Sequence, residues 1–112
     1  MGIPLSDAAI HIVPYDEDWP RRFDAERQLL VGAIGSWLPG LSIEHIGSTA
    51  VPGLDAKPVI DIMAGVESLE SSRAALCVLE RHQYCYAPYR AEVMHWLCKP
   101  SPAQRTHHLH LV

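Results

Sequence analysis

Glu44-His45-Ile46-Gly47-Ser48-Thr49-Ala50-Val51-Pro52-Gly53-Leu54, followed closely by Lys57-Pro58-Val59-Ile60-Asp61-Ile62-Met63, sets the architecture of this chain. Leu41 to Ile46 is short, partly β-branched and bounded by Gly40 and Gly47, so it reads as a strand. Gly47 to Pro58 contains two Gly and two Pro, which makes it a loop or a single helical turn. Val59 to Ala64 is apolar except for Asp61, the pattern of a central strand buried on both faces. A strand that ends in Gly47-Ser48-Thr49 and turns at Pro52-Gly53 presents backbone N–H groups and two hydroxyls at one place. Such nests suit phosphate oxygens; the plainer reading is an ordinary strand-to-helix turn. The segment is not a P-loop, because Gly47 and Gly53 have five residues between them and no Gly-Lys-Ser/Thr follows. Kinase chemistry through such a loop is therefore unsupported.

On the N-terminal side, residues 1–9 lack periodicity and are expected to be a flexible terminus. Ile10 to Val13 reads as a short strand ended by Pro14. Asp18 is placed to cap a helix with Pro20 in its first turn. Phe23, Leu30, Ala33, Ile34, Trp37 and Leu38 form its apolar stripe, with Arg22, Glu26 and Gln28 on its polar side. Pro39-Gly40 stops it. On the C-terminal side, Ser68 or Ser71 caps a second helix running to about His82. Tyr84 to Tyr86 and Val93 to Lys99 read as paired strands around a loop at 87–92. A turn at 101–104 leads to a last strand, Thr106 to Val112. The element order implies an α/β (α+β) fold, two main helices packed on a mixed β-sheet.

The chain has 112 residues, of which 48% are apolar and 20% charged, with a formal net charge of −4. That suits one domain over 10–112 rather than a disordered chain. No run approaches the ~18 uninterrupted apolar residues of a membrane span, and the start lacks a signal-peptide pattern. The acidic balance argues against broad nucleic-acid binding. Three cysteines, Cys77, Cys85 and Cys98, form no CxxC pair and read as reduced, buried thiols of a cytoplasmic protein. Trp19, Trp37 and Trp96 read as core anchors.

A carboxylate flanked by isoleucines needs a partner, because unpaired burial costs several kcal/mol. For Asp61 the candidates are a metal ion, Lys57 or a histidine from a neighbouring strand, and a purely structural ion pair satisfies it equally. His108 and His110 alternate onto one face of the last strand, His107 and Leu109 onto the other. Two imidazoles at that spacing can ligate one metal or grip one phosphate; without a third ligand at fixed spacing, zinc is disfavoured. Arg105, just ahead of them, is a loop charge within reach of a phosphate.

Taken in order, Val13-Pro14-Tyr15-Asp16 with Trp19-Pro20, the Glu44–Leu54 block, Lys57-Pro58-Val59-Ile60-Asp61-Ile62, Lys99-Pro100 and Arg105-Thr106-His107-His108-Leu109-His110 resemble the GrpB family. This resemblance runs from about residue 11 to the end. It implies membership of the nucleotidyltransferase (polymerase-β-like) superfamily, in which a Gly-Ser turn binds triphosphate and carboxylates on neighbouring strands hold Mg²⁺. Some family members carry the label of dephospho-coenzyme A kinase or of a protein-folding accessory domain, because a similar domain is fused to that kinase.

Carried over by residue, the resemblance makes Gly47 and Ser48 the phosphate turn and Asp61 one acid of the metal pair. Thr49, Lys57 and Arg105 join as phosphate ligands; Asp61, His108 and His110 are the candidate catalytic groups, with Asp61 and His110 as ligands for Mg²⁺ or Mn²⁺. The sequence departs from the superfamily pattern where Val59 stands in place of the second acid and His108 or His110 in place of the third. A two-metal transfer needs that negative charge. The implied function is binding of a nucleotide or another phosphorylated small molecule, with metal-dependent nucleotidyl transfer at a degenerate acidic site. The alternative is a non-catalytic accessory or interaction domain. Relatives of this pattern continue beyond the last strand into helices, so the chain is expected to be a truncated member. A sheet edge would then stand open to pairing with a second copy.

Overall fold

Trp19, Leu30 and Ile34 form the buried stripe of helix α1 (Trp19–Ile34). The computed structural model describes residues 11–87, 94–101 and 103–112, so the expected flexible terminus at 1–9 and most of the expected 87–92 loop lie outside the described residues. Asp18 occupies the N-cap of α1 but makes no capping bond through its side chain. Instead its N–H donates to Asp16 Oδ1 at 2.8 Å and its carboxylate pairs with Arg21 at 2.8 Å. The helix stops at Ile34, before Gly35, whose poor helix propensity lets the chain turn early. Leu38 still reaches the core, but Trp37 is 55% exposed and is not a core anchor.

The remaining elements are β1 (Ser42–Ile46), a single 3-10 turn at Ser48–Ala50, β2 (Ile60–Gly65), α2 (Leu69–Glu80), β3 (Cys85–Tyr86), β4 (His95–Pro100) and β5 (Arg105–Leu111). Ser68 caps α2, accepting from the Ser71 N–H at 3.0 Å. The strand expected at Ile10 to Val13 reduces, among the described residues, to an isolated bridge between Val13 and Ala56.

The five strands form one mixed sheet in the order β1-β2-β5-β4-β3. Strands β2 and β5 run parallel at its centre, and the other neighbouring pairs are antiparallel. The parallel pairing follows from α2, which carries the chain across the sheet between β2 and the later strands. Ile60, Ile62 and Ala64 of β2, Leu97 of β4, and Leu109 and Leu111 of β5 form the core with Trp19, Leu30, Ile34, Ala75 and Leu79 of the helices.

Strand β2 is therefore covered by helices on one face rather than buried evenly on both. Its alternate residues Asp61 and Met63 are half-buried and exposed. The register is well determined: a slip of one residue would remove Ile60 and Ile62 from the core, at roughly 1.5–3 kcal/mol for each side chain. It would also drive Asp61 into that core. The pattern that builds the sheet thus also places Asp61 on the face away from the helices. Among the described residues, no helix is long and apolar enough to cross a membrane.

Candidate functional site

Asp61 and His108 are direct partners in the parallel β2–β5 pair. His108 Nδ1–H donates to Asp61 Oδ1 at 2.9 Å, and His110 Nε2 lies 3.9 Å from the same oxygen. Burial raises the pKa of this carboxyl, but the hydrogen bonds and charges of His108 and His110 more than offset that and hold it at about 2. Asp61 is therefore an anion paired by histidines of a neighbouring strand; Lys57, ahead of β2, is not its partner.

The turn after β1 closes over this carboxylate. Gly47 has φ 78°, and a Cβ there would lie 2.7 Å from Asp61 Oδ2, so only glycine fits both the backbone and the contact. Ser48 is exposed beside it. Thr49, expected among the phosphate ligands, is buried instead. Its hydroxyl donates to Val59 O at 2.9 Å and so must accept from His45 Nε2, also at 2.9 Å. The single hydroxyl proton is thereby committed to locking the turn onto the start of β2. His45 stacks on Phe23 of α1 with ring centroids 4.8 Å apart. Burial depresses its pKa, against an opposing pull from the Asp61 charge.

Trp96 of β4 completes the surroundings. Its ring lies 5.0 Å from that of His108 and 6.4 Å from that of His110. The Arg105 guanidinium sits 5.7 Å from the centre of the Trp96 ring, a cation–π distance, so Arg105 joins the site by way of Trp96. His108 Nε2 is buried and, among the described residues, has no hydrogen-bond partner. The structure thus gathers Asp61, His108, His110, Gly47 and Arg105 around one region. Thr49 is turned inward and Lys57 stands outside the cluster.

For a metal, the donors are one carboxylate and imidazoles, and one of those imidazoles is already spent on the carboxylate. Among the described residues, no group of three or more His, Cys, Asp or Glu is disposed to hold an ion. Two cations do not fit this set. One cation fits only if a ligand's oxygens and water supply most of its shell, as Mg²⁺ commonly requires.

A second polar cluster lies on the helix side of the sheet. Glu26, assigned by sequence to the polar side of α1, is buried. It pairs with Lys99 Nζ at 2.7 Å and accepts from the Tyr84 hydroxyl at 2.6 Å. Burial raises the Glu26 pKa, but Lys99 and Tyr84 outweigh it and the net shift is downward. Burial and the adjacent Glu26 push the Tyr84 phenol well above its usual range. His107 Nε2 is 3.7 Å from Glu26 Oε1, yet burial drives its pKa down to about 4. Lys99 already neutralises the carboxylate from much closer, so His107 gains too little from Glu26 to stay charged. The signal for this cluster was available: Glu26 falls between Phe23 and Leu30 on the apolar stripe, and Lys99 alternates with Leu97.

Comparison with known proteins agrees with the arrangement of motifs. The family model described as GrpB protein matches residues 9–112. A UPF0157 protein of Pseudomonas aeruginosa is 56% identical over 57 residues, covering 51% of this chain and 23% of that protein. The "Glutamate-rich protein GrpB" of Alkalihalophilus pseudofirmus is 48% identical over 66 residues, covering 59% of this chain and 37% of its own length. The crystal structure of the conserved protein GrpB from Enterococcus faecalis superposes with a TM-score of 0.80 at 34% identity, covering 90% of this chain and 60% of that one. The matched stretch is thus well short of the full length of each of these relatives. With nearly every residue inside the family model and the same fold in a solved member, this chain belongs to the GrpB family.

Proposed function

We propose that this domain binds a nucleotide or another phosphorylated small molecule where the Gly47–Ser48 turn meets Asp61, His108 and His110. The observation that carries the reading is the convergence of Asp61 with two histidines 47 and 49 residues away in sequence, under a glycine turn that admits no side chain. Ordinary sheet packing does not require a half-buried carboxylate held by two imidazoles, whereas a ligand site that must keep that carboxylate oriented does. Ser48 and Arg105 would contribute donors to phosphate oxygens. A single Mg²⁺ or Mn²⁺, if the ligand brings one, would be held by Asp61 with His110. There it would neutralise phosphate charge.

The reading is of a binding domain with a nucleotidyltransferase-like fold rather than a two-metal transferase, because Val59 and the histidines occupy positions where that chemistry needs carboxylates. An accessory role, in which the domain aids the folding or docking of a partner, is the second reading, and the same missing acids favour it. Titration calorimetry with ATP, GTP and coenzyme A precursors, with and without Mg²⁺ or Mn²⁺, separates the two. Saturable binding that Asp61→Asn weakens at least tenfold supports the first. A folded sample that binds none of them, or an Asp61→Asn variant that binds as the parent does, refutes it.

A further inference from the structure

Cys85 and Cys98 stand directly opposite each other in the antiparallel β3–β4 pair. The Ala87 N–H donates to Trp96 O at 2.9 Å, which makes that a hydrogen-bonded pair. Two residues along each strand, Cys85 and Cys98 occupy the same kind of position. Opposed residues there have Cα atoms about 5.5 Å apart, within the about 4.4–6.8 Å that a disulfide spans. Both side chains leave the sheet on one face, away from the helices.

Exposure divides the labour between them. Cys98 is buried and Cys85 is partly exposed, while Cys77 is exposed on α2, across the sheet. The Cys85 thiol donates to Pro100 O at 3.5 Å, so it already lies along β4.

We propose that Cys85 and Cys98 form a reversible cross-strand disulfide, a redox modification site on the sheet face that carries Asp61. The oxidant is a small disulfide such as oxidised glutathione. The Cys85 thiolate attacks one of its sulfurs, forms a mixed disulfide and releases one glutathione thiolate. Cys98 then gives up its proton and attacks the Cys85 sulfur, releasing the second glutathione thiolate. Two protein thiols lose two protons and two electrons, and the glutathione disulfide accepts the electrons. In a hydrogen-bonded pair the opposed Cβ atoms lie toward the far end of about 4.5–5.5 Å, about 1–2 Å beyond the about 3.5–4.5 Å of a finished bridge, so closure requires a strand movement of that size. Strand β3, two residues long at the sheet edge, can make it, and a bridge closed in this way is one that thiols reopen. Cys98 has His108 as its ladder partner on the other side, so the bridge forms in the same transverse row as the His108–Asp61 pair. The inference does not depend on what that pair binds.

The test equilibrates the full reduced chain with oxidised glutathione, quenches exchange with acid, alkylates with iodoacetamide in denaturant so that buried Cys98 is reached, and reads intact mass and peptide maps. Of the three cysteines, all are alkylated before oxidation. Afterwards Cys85 and Cys98 are expected to be joined to each other, with exposed Cys77 alkylated or carrying glutathione, and dithiothreitol is expected to restore full labelling. Cys98→Ser is expected to stop at a stable glutathione adduct on Cys85, and Cys77→Ser to leave the cross-link intact. Full alkylation after oxidation, a persistent Cys85 adduct in the parent chain, or a bridge that includes Cys77 overturns the proposal. The parent chain alone decides it if the Cys98 variant fails to fold.

Discussion

Acidification from pH 7 to 4.5 is expected to destabilise this domain through His107. The imidazole is almost enclosed between α1 and β5, and burial lowers its pKa from 6.5 to about 4. Below pH 6.5 the unfolded chain takes up a proton that the folded chain refuses, so stability is lost as pH falls and levels off below about pH 4. At 1.36 kcal/mol per unit, the part of this shift that develops between pH 7 and 4.5 corresponds to about 2.4 kcal/mol. With a urea slope of about 2 kcal/mol/M, the unfolding midpoint should drop by roughly 1.2 M. His45, also depressed by burial, adds a contribution of the same sign. Asp61, lowered from 3.8 to about 2, keeps most of its contribution at this acidity, whereas that of Glu26, lowered from 4.5, starts to be lost at the acid end of the window and adds to the same trend. Urea titrations at half-unit pH intervals on the parent and on His107→Asn measure the effect. The variant should show a much flatter profile. A parent midpoint that stays constant from pH 7 to 4.5, or an unchanged slope in His107→Asn, would refute the account of a buried neutral imidazole.

Glu26→Gln should cost roughly 3 kcal/mol, because it leaves the Lys99 ammonium buried without its carboxylate. Adding Lys99→Met should recover part of that loss, as chemical denaturation of both variants will show. Gly47→Ala forces a side chain at φ 78° against Asp61 Oδ2 and should destabilise by about 1–3 kcal/mol; full stability in a thermal melt would contradict the contact. His108→Ala should raise the Asp61 pKa from about 2 toward its ordinary value, measured by carboxyl carbon shifts in an NMR titration. In the parent, the contribution of Asp61 should fade only as pH falls from about 4 toward 2.

The fold was largely legible because its signals are local. The stripe through Phe23, Leu30 and Ile34, the cap at Ser68 and the alternation in β5 each follow from residues close in sequence. Asp61 invited a histidine partner on chemical grounds, and the alternation of His108 and His110 put both on one face. What escaped depended on pairing between distant segments. Asp61 in an apolar run looked like part of a strand covered on both sides, since nothing local says that both helices take the same face. By local pattern Glu26 belongs to the polar side of α1 because charge is usually solvated, yet its place in the stripe faces Lys99 of a strand more than seventy residues later. The inward turn of Thr49 depends on where Val59 and His45 fall, and no spacing rule encodes that.

Strand β5, the last of the five in the chain, lies between β2 and β4 rather than at an edge. The two hairpin-like pieces β1–β2 and β3–β4 are therefore joined into one sheet only through that strand. Asp61 meets His108 only where β5 is paired with β2, so the candidate site cannot form before that pairing does. During synthesis a ribosome must release residue 110 before a ligand could find its complete set of groups. Pairings of this long range are slow to form. A ligand that recognises the finished site would favour the joined sheet over the two pieces, and so would act on folding as well as on function.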